Sequence, residues 1–418
     1  MQFDIIRTRD DFLLLQPSWE HIFNENNTAN FYLSFDWFNF LLSHSQDFLQ
    51  DLYIITAESG TEIVAIMPCY LTRRRLCFHH HKSLELIGNV YSPYRGCLVK
   101  NGLENVVAHG LVDYLVTKRA GDWQIINFED LSEKDSFITA LKTAFEGKGL
   151  SFYEKDNFVN IVLDFSSFPN SETYFRSIKK HFREEIKRHI NMMNRNGGFD
   201  ILLPLDEEHD IETTMNDYYD IYSKSWKKTE GDPLFHRQLA KYLLKKGNLR
   251  LFILYSPEDQ PRDGLNPVFP SYQSSIIPER PGAARGIPVA ANFFILYGKQ
   301  AYFLKTSYRE DYSKYSPGNI LMWFSFKHLL EVEHVNIVDY QKDYEKHKIQ
   351  FGGVINEKRY QMLICNSNMA HIDLKCRDKL SPLVRRVRQE FVARHDKKEM
   401  RDIKSAIVST SMNNNIMP

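Results

Sequence analysis

Apolar residues near the start of the chain recur at spacings of three and four: Trp19, Ile22 and Phe23 share one helical face, and an aromatic-rich stretch over 31–42 predicts a second helix. The rhythm then tightens. Two strand-like runs, 52–57 and 62–68, flank the turn Glu58-Ser59-Gly60-Thr61, so an antiparallel hairpin is expected there. A loop at Tyr91-Ser92-Pro93-Tyr94, a helix over 105–118, a strand over 123–128 and a helix over 135–147 complete a first α/β unit.

A second unit opens at the turn and cap signal Pro169-Asn170-Ser171. Phe175, Ile178, Phe182, Ile186, Ile190 and Met193 follow at helical spacing, and Gly197-Gly198 stops the helix. Strands are expected at 200–203, 250–255, 289–297, 301–305 and 335–339, with helices between. The order of elements resembles the first unit with additions, which predicts two related α/β domains over 1–168 and 169–400 and a disordered tail over 401–418. Residues 257–288 interrupt the pattern with seven of the chain's sixteen prolines and are expected to form a flexible surface insertion.

Length and charge narrow the class. At 418 residues the chain exceeds what one core usually holds. Basic and acidic residues balance at 53 each, so any site for a polyanion must be local. Five dispersed cysteines without a C-x-x-C pair predict a reducing, cytoplasmic setting, and the absence of a signal-like start or a run of ~18 apolar residues predicts no transmembrane segment. His79-His80-His81 is expected in a surface loop, because three consecutive imidazoles cannot face one ion from a regular element; no metal is expected. There is no P-loop, G-x-G-x-x-G, G-x-S-x-G or H-E-x-x-H pattern.

Four segments are candidates for chemistry. Residues 171–198 carry seven lysines and arginines against three glutamates, with Lys179, Arg183 and Lys187 on one face, which suits either phosphate binding or a solvated helix. A second basic stretch, 373–401, reads as a solvated face. The hairpin through Ala291, Asn292 and Phe293, turning at Gly298-Lys299, has small residues where a ligand backbone can approach. Ser316-Pro317-Gly318-Asn319 suits either an anion site at the first N–H groups of a helix or a plain helix start, and Asp339 ends a strand where α/β sheets place ligands, as a base or as a loop cap.

Taken in order, several motifs resemble GNAT-fold acyltransferases of the CelD/BcsL type and, more distantly, Fem aminoacyl transferases. They are Phe35-Asp36-Trp37, Ala65-Ile66-Met67-Pro68, Tyr91-Ser92-Pro93-Tyr94, Ser225-Trp226-Lys227, Lys305-Thr306-Ser307-Tyr308, Tyr315-Ser316-Pro317-Gly318, and Asp339 with His347-Lys348. The resemblance implies two tandem GNAT-like domains, each a mixed, mostly antiparallel sheet flanked by helices, with the active cleft in the second. It implies acyl transfer, with acyl-CoA as co-substrate and no tightly bound cofactor, to an amine or hydroxyl of a small molecule, sugar or envelope precursor. The thioester carbonyl is then expected beside a splayed strand at Ala291–Phe293, and the donor phosphates at Ser316, Gly318 and Asn319. Asp339 is the expected base, Lys348 and Lys305 bind phosphate or acceptor, and Trp226 and Tyr308 wall the acceptor pocket. The usual GNAT phosphate loop, Arg/Gln-x-x-Gly-x-Gly/Ala, is absent. Aminoacyl transfer from tRNA, or an inactive GNAT-fold module that binds a glycan or lipid intermediate, are the alternatives.

Overall fold

A computed structural model describes residues 1–26, 29–205, 210–227, 232–257, 286–342 and 345–377. Most of the insertion at 257–288, most of the basic stretch at 373–401 and the tail at 401–418 lie outside the described residues.

The strands are β1 (Gln2–Ile6), β2 (Ile54–Ser59), β3 (Glu62–Met67), β4 (Cys69–Arg75), β5 (His80–Leu86), β6 (Leu98–Val99) and β7 (Ile125–Ser132), then β8 (Ser151–Asp164), β9 (Asp200–Leu202), β10 (Leu249–Ser256), β11 (Ile287–Tyr297), β12 (Gln300–Tyr308), β13 (Ile337–Lys342) and β14 (Val354–Cys365). One sheet runs β1-β2-β3-β6. A larger one runs β4-β5-β7-β14-β8-β13-β12-β11-β10-β9. Pairing is antiparallel except between β5 and β7 and between β12 and β13. Between those parallel pairs, β14 sits between β7 and β8, so the last described strand joins the sheet of the first half and β8 joins that of the second. The sheet is continuous through both halves.

Local sequence explains the helices that flank the sheets. Ser34 caps the helix Phe35–His44 by accepting the Trp37 N–H at 3.2 Å, and the helix buries Phe35, Trp37, Phe38, Phe40, Leu41 and Leu42. The single helix expected from Ser171 to Gly197 is broken where Ile178 and Lys179 leave the helical conformation: Ser171–Ser177 carries Phe175, and Lys180–Arg195 buries Phe182, Ile186, Ile190 and Met193, leaving Lys180, Lys187 and Arg188 exposed. One apolar core joins the halves: Phe12, Trp19 and Trp37 of the first pack with Tyr218, Leu239, Leu251 and Phe293 of the second. Separate cores lie beneath the remaining faces of the two halves.

The histidine run is a surface loop only at His79, which lies in a bend. His80 and His81 begin β5, and buried His81 lies 2.9 Å from Asp373 Oδ2, with His79 Nδ1 3.1 Å from the same oxygen. The acid organises the two imidazoles into a contact between β5 and the segment following β14.

Candidate active site

β12 and β13 run side by side through Gln300↔Ile337, Ala301↔Val338 and Tyr302↔Asp339, and then part. The cause lies in β13. Between Asp339 and Lys342 it carries one residue more than β8 opposite it, and Gln341 takes a left-handed backbone, φ 62°. That conformation costs a non-glycine residue roughly 1–2 kcal/mol, so something must hold it. Asp339 does: its Oδ1 accepts the Gln341 N–H at 2.7 Å, the Tyr94 hydroxyl at 2.5 Å and Asn160 Nδ2 at 2.9 Å. Asn160 Nδ2 also reaches the Gln341 carbonyl at 3.1 Å, and Gln341 Nε2 donates to the Tyr32 hydroxyl at 2.6 Å.

The parting strands enclose a cavity of about 380 Å³. Phe303 to Thr306 form the β12 wall and Tyr340 to Lys342 the β13 wall; Val90 and Tyr91 of the first half, Lys227, Glu345 and Lys348 complete the lining. Four lysines face one glutamate among these residues, which gives the cavity an anion-binding character. The lysines are held in place. Lys227 donates to the Thr306 carbonyl, and buried Lys348 donates to the Lys342 carbonyl and lies 3.6 Å from Glu345 Oε2. Lys342 lies 3.7 Å from Asp130 Oδ2, and the Lys305 ammonium stands 5.4 Å from the centre of the Tyr91 ring. His347 Nε2 is 3.5 Å from Glu345 Oε2; burial pushes this imidazole's pKa down, with Lys348 and Lys227 acting the same way and Glu345 opposing.

Of the residues expected from sequence, Lys305 and Lys348 line the cavity. Asp339 stands behind the wall, 4% exposed, with a pKa raised by burial against the donors that favour its charged form. Its side chain is turned toward Tyr94 and Asn160, and it is not among the residues that line the cavity. The splayed strand is one removed from the expected one. Ala291, Asn292 and Phe293 lie on β11, buried and paired on both sides by β10 and β12. Ala291 and Phe293 pack in the shared core, and Asn292 ties Thr306 Oγ1 (2.8 Å) to Ser325 Oγ (3.2 Å).

Ser316, Gly318 and Asn319 do start the helix Pro317–Glu331, yet none lines the cavity. A Cβ on Gly318 would come within 3.0 Å of Tyr308 Cδ1, so the tyrosine ring covers this face of the glycine. Trp226, half exposed, packs on Tyr308 with ring centres 4.4 Å apart, forming an aromatic platform one residue from Lys227. Sequence reasoning assigned no role to Tyr91, Lys227, Gln341, Lys342 or Glu345. The signal for Lys227 was its place beside Trp226, and for Lys342 its place three residues after Asp339.

Residues 283–348 match the family model "Acetyltransferase (GNAT) domain", a stretch that contains β11, β12 and β13 and ends at Lys348. No curated protein matches the chain in sequence. Among solved structures, FemX superposes with a TM-score of 0.55 at 10% identity, covering 86% of this chain and 97% of its own. A tandem GNAT protein from the clavulanic acid biosynthesis pathway gives 0.45 at 9% identity, covering 88% and 98%, and L-PGS from Bacillus licheniformis gives 0.44 at 12%, covering 89% and 96%. The fold is mixed α/β, two GNAT-like halves that share the ten-stranded sheet, with the four-stranded antiparallel sheet beside it in the first half. Residues 283–348 are thus similar in sequence to a GNAT acetyltransferase domain, and the chain as a whole shares its fold with FemX.

Proposed function

We propose that this chain transfers an acyl group from an acyl-CoA thioester to an amine, or a hydroxyl, of a sugar or other cell-envelope polysaccharide precursor in the cytoplasm, as a protein of the CelD/BcsL type. The observation that carries the reading is the lysine-lined cavity at the parting of β12 and β13, within the stretch that matches the acetyltransferase model. Backbone N–H groups freed where the strands part are suited to stabilise the carbonyl oxygen as it becomes an oxyanion. The acceptor nitrogen attacks the thioester carbon, the C–N bond forms, the C–S bond breaks, and the thiolate leaves. An ammonium cannot attack, so the nitrogen must first lose its proton.

Glu345 is better placed than Asp339 to take that proton, because it lines the cavity and Asp339 does not, with the His347 imidazole 3.5 Å from its carboxylate. Lys305, Lys342 and Lys348 hold anionic groups of the donor or acceptor, and the Trp226–Tyr308 platform supports an acceptor ring. Thiol release from a panel of acyl-CoAs in the presence of amino-sugar acceptors tests the reading: acceptor-dependent release supports it, and none across the panel refutes it.

Aminoacyl transfer from tRNA is the second reading, supported by the fold shared with FemX and the exposed Lys180, Lys187 and Arg188 of the basic helix. Salt separates the two. Binding of tRNA falls steeply with ionic strength through counterion release, whereas coenzyme A, with few phosphates, responds less.

A further inference from the structure

We infer that Asp339 and Tyr94 act together as a positioning clamp, in which the first half of the chain sets the shape of the second half's cavity. The inference rests on acyl transfer taking place between β12 and β13. Tyr94 belongs to the loop after β5, whereas Asp339 is on β13, 245 positions away in sequence, and their contact at 2.5 Å is fully buried. The same carboxylate oxygen receives the N–H of Gln341, the residue whose left-handed backbone makes the bulge. Asn160 of β8 closes the clamp by reaching both Asp339 and the Gln341 carbonyl, and Asn356 Nδ2 in turn steadies Asn160 Oδ1 at 2.9 Å. Gln341 and Lys342, the residues so placed, line the cavity.

Every group around the carboxylate suits holding and none suits proton exchange with a substrate. Tyr94, Asn160 and the Gln341 N–H donate to Oδ1; Gln300 Nε2 of β12 approaches Oδ2 at 3.5 Å; and Arg359 of β14, stacked 4.4 Å over the Tyr94 ring, adds a nearby positive charge. Tyr32 and Tyr302, on the far side of Gln341 and Gln300, are buried phenols in the same network. A clamp needs an acceptor atom at this position. It does not need a titrating one.

The two roles separate in Asp339→Asn, whose amide oxygen still accepts the Gln341 N–H, compared with Asp339→Ala, which has no acceptor. The clamp predicts that Asp339→Asn keeps kcat/KM within about 10-fold of wild type with an unchanged pH profile, that Tyr94→Phe loses about 10-fold, and that Asp339→Ala loses about 100-fold or more. Glu345→Gln, measured alongside, loses turnover while leaving the protection of the Gln341 amide unchanged. If Asp339→Asn is as inactive as Asp339→Ala and the acidic limb of the pH profile vanishes with it, the residue is the base and the clamp is overturned. Amide hydrogen exchange at Gln341 gives a readout independent of turnover: the clamp predicts exchange at least 10-fold faster in folded Tyr94→Phe and Asp339→Ala, and unchanged protection overturns it. Absence of transfer in the wild type refutes the proposed function and leaves the exchange result to decide the clamp.

Discussion

Each half of the molecule has a parallel strand pair that opens, and the two openings have opposite contents. In the first half, β5 and β7 pair through Glu85↔Asn127 and then part, and Asp130 adopts the left-handed backbone, φ 59°, where β7 bulges against β14. Charges fill that gap. Arg74 Nε lies 2.9 Å from Glu85 Oε1 and its Nη2 3.1 Å from Glu129, while Arg95 lies 3.5 Å from Glu129 and 3.7 Å from Asp130. Arg95 gets in because residue 88 is glycine: a Cβ there would sit 2.7 Å from Arg95 Nε. In the second half the matching space is the 380 Å³ cavity, lined by four lysines and one glutamate, with Lys348 beside Glu345 and Lys342 beside Asp130 at its wall. The backbone device is the same in both halves, and the side chains decide whether it becomes structure or site. Lys342 and Asp130, each beside or within a bulge, join the two at 3.7 Å.

The sharpest way to break the comparison is to empty the closed side. Glu85 is 4% exposed and accepts from Arg74 Nε and from Ser83 Oγ at 2.8 Å, so Glu85→Ala leaves a guanidinium partly buried without this partner. It should lower stability by about 3 kcal/mol in urea unfolding while leaving kcat nearly unchanged, as befits a structural network. A loss of transfer greater than the loss of folded protein would assign the first opening a share of the chemistry.

A comparable effect is expected from an ion pair of the second half that lies away from its opening. Burial alone would raise the pKa of Glu333, but hydrogen bonds from His328 and Arg250 and the Arg250 charge outweigh it and bring it to about 2. Because the folded value is depressed, the contribution is complete above the ordinary value of 4.5 and is lost as pH falls from there toward 2. It amounts to on the order of 3 kcal/mol. Stability measured across this range should drop in the wild type, and Glu333→Gln should flatten that part of the curve; identical slopes would refute the assignment.

The smallest effect concerns Gly318. Its face meets Tyr308 at 3.0 Å, so Gly318→Ala should disturb the Trp226–Tyr308 platform and cost about 1 kcal/mol of stability. Coenzyme A affinity in calorimetric titration should stay within about threefold of wild type. A selective loss of 10-fold or more would return the helix start to the donor site.

What sequence made legible was whatever repeats locally. The Lys180–Arg195 helix, the β2–β3 hairpin and the β11–β12 hairpin turning at Gly298 all follow from spacing and turn chemistry. The exchange of β8 and β14 does not, because periodicity shows which face of a strand is apolar and not which strand lies beside it. β4 and β5 were hidden by Arg73-Arg74-Arg75 and His79-His80-His81, polar runs that their positions in the sheet accommodate. Lys305 and Lys348 were legible as candidates through motif likeness. Tyr91, Lys227 and Lys342 became site residues only through folding, which brings segments near 91, 227, 305 and 342 to one cavity. The small residues Ala290 and Ala291 looked like room for a ligand, yet their size serves close packing beneath the helices.

The central claim is that transfer occurs in the cavity between β12 and β13, and Lys305→Glu tests it most directly by reversing one charge on the cavity wall without touching the clamp or the core. The measurement is acceptor-dependent thiol release from the best acyl-CoA of the panel, compared between wild type, Lys305→Glu and Glu85→Ala at matched amounts of folded protein. The account predicts a loss of about 100-fold in kcat/KM for Lys305→Glu, equivalent to about 2.7 kcal/mol, and rates near wild type for Glu85→Ala. Wild-type rates in Lys305→Glu, together with loss in Glu85→Ala, would place the reaction in the other half and contradict it.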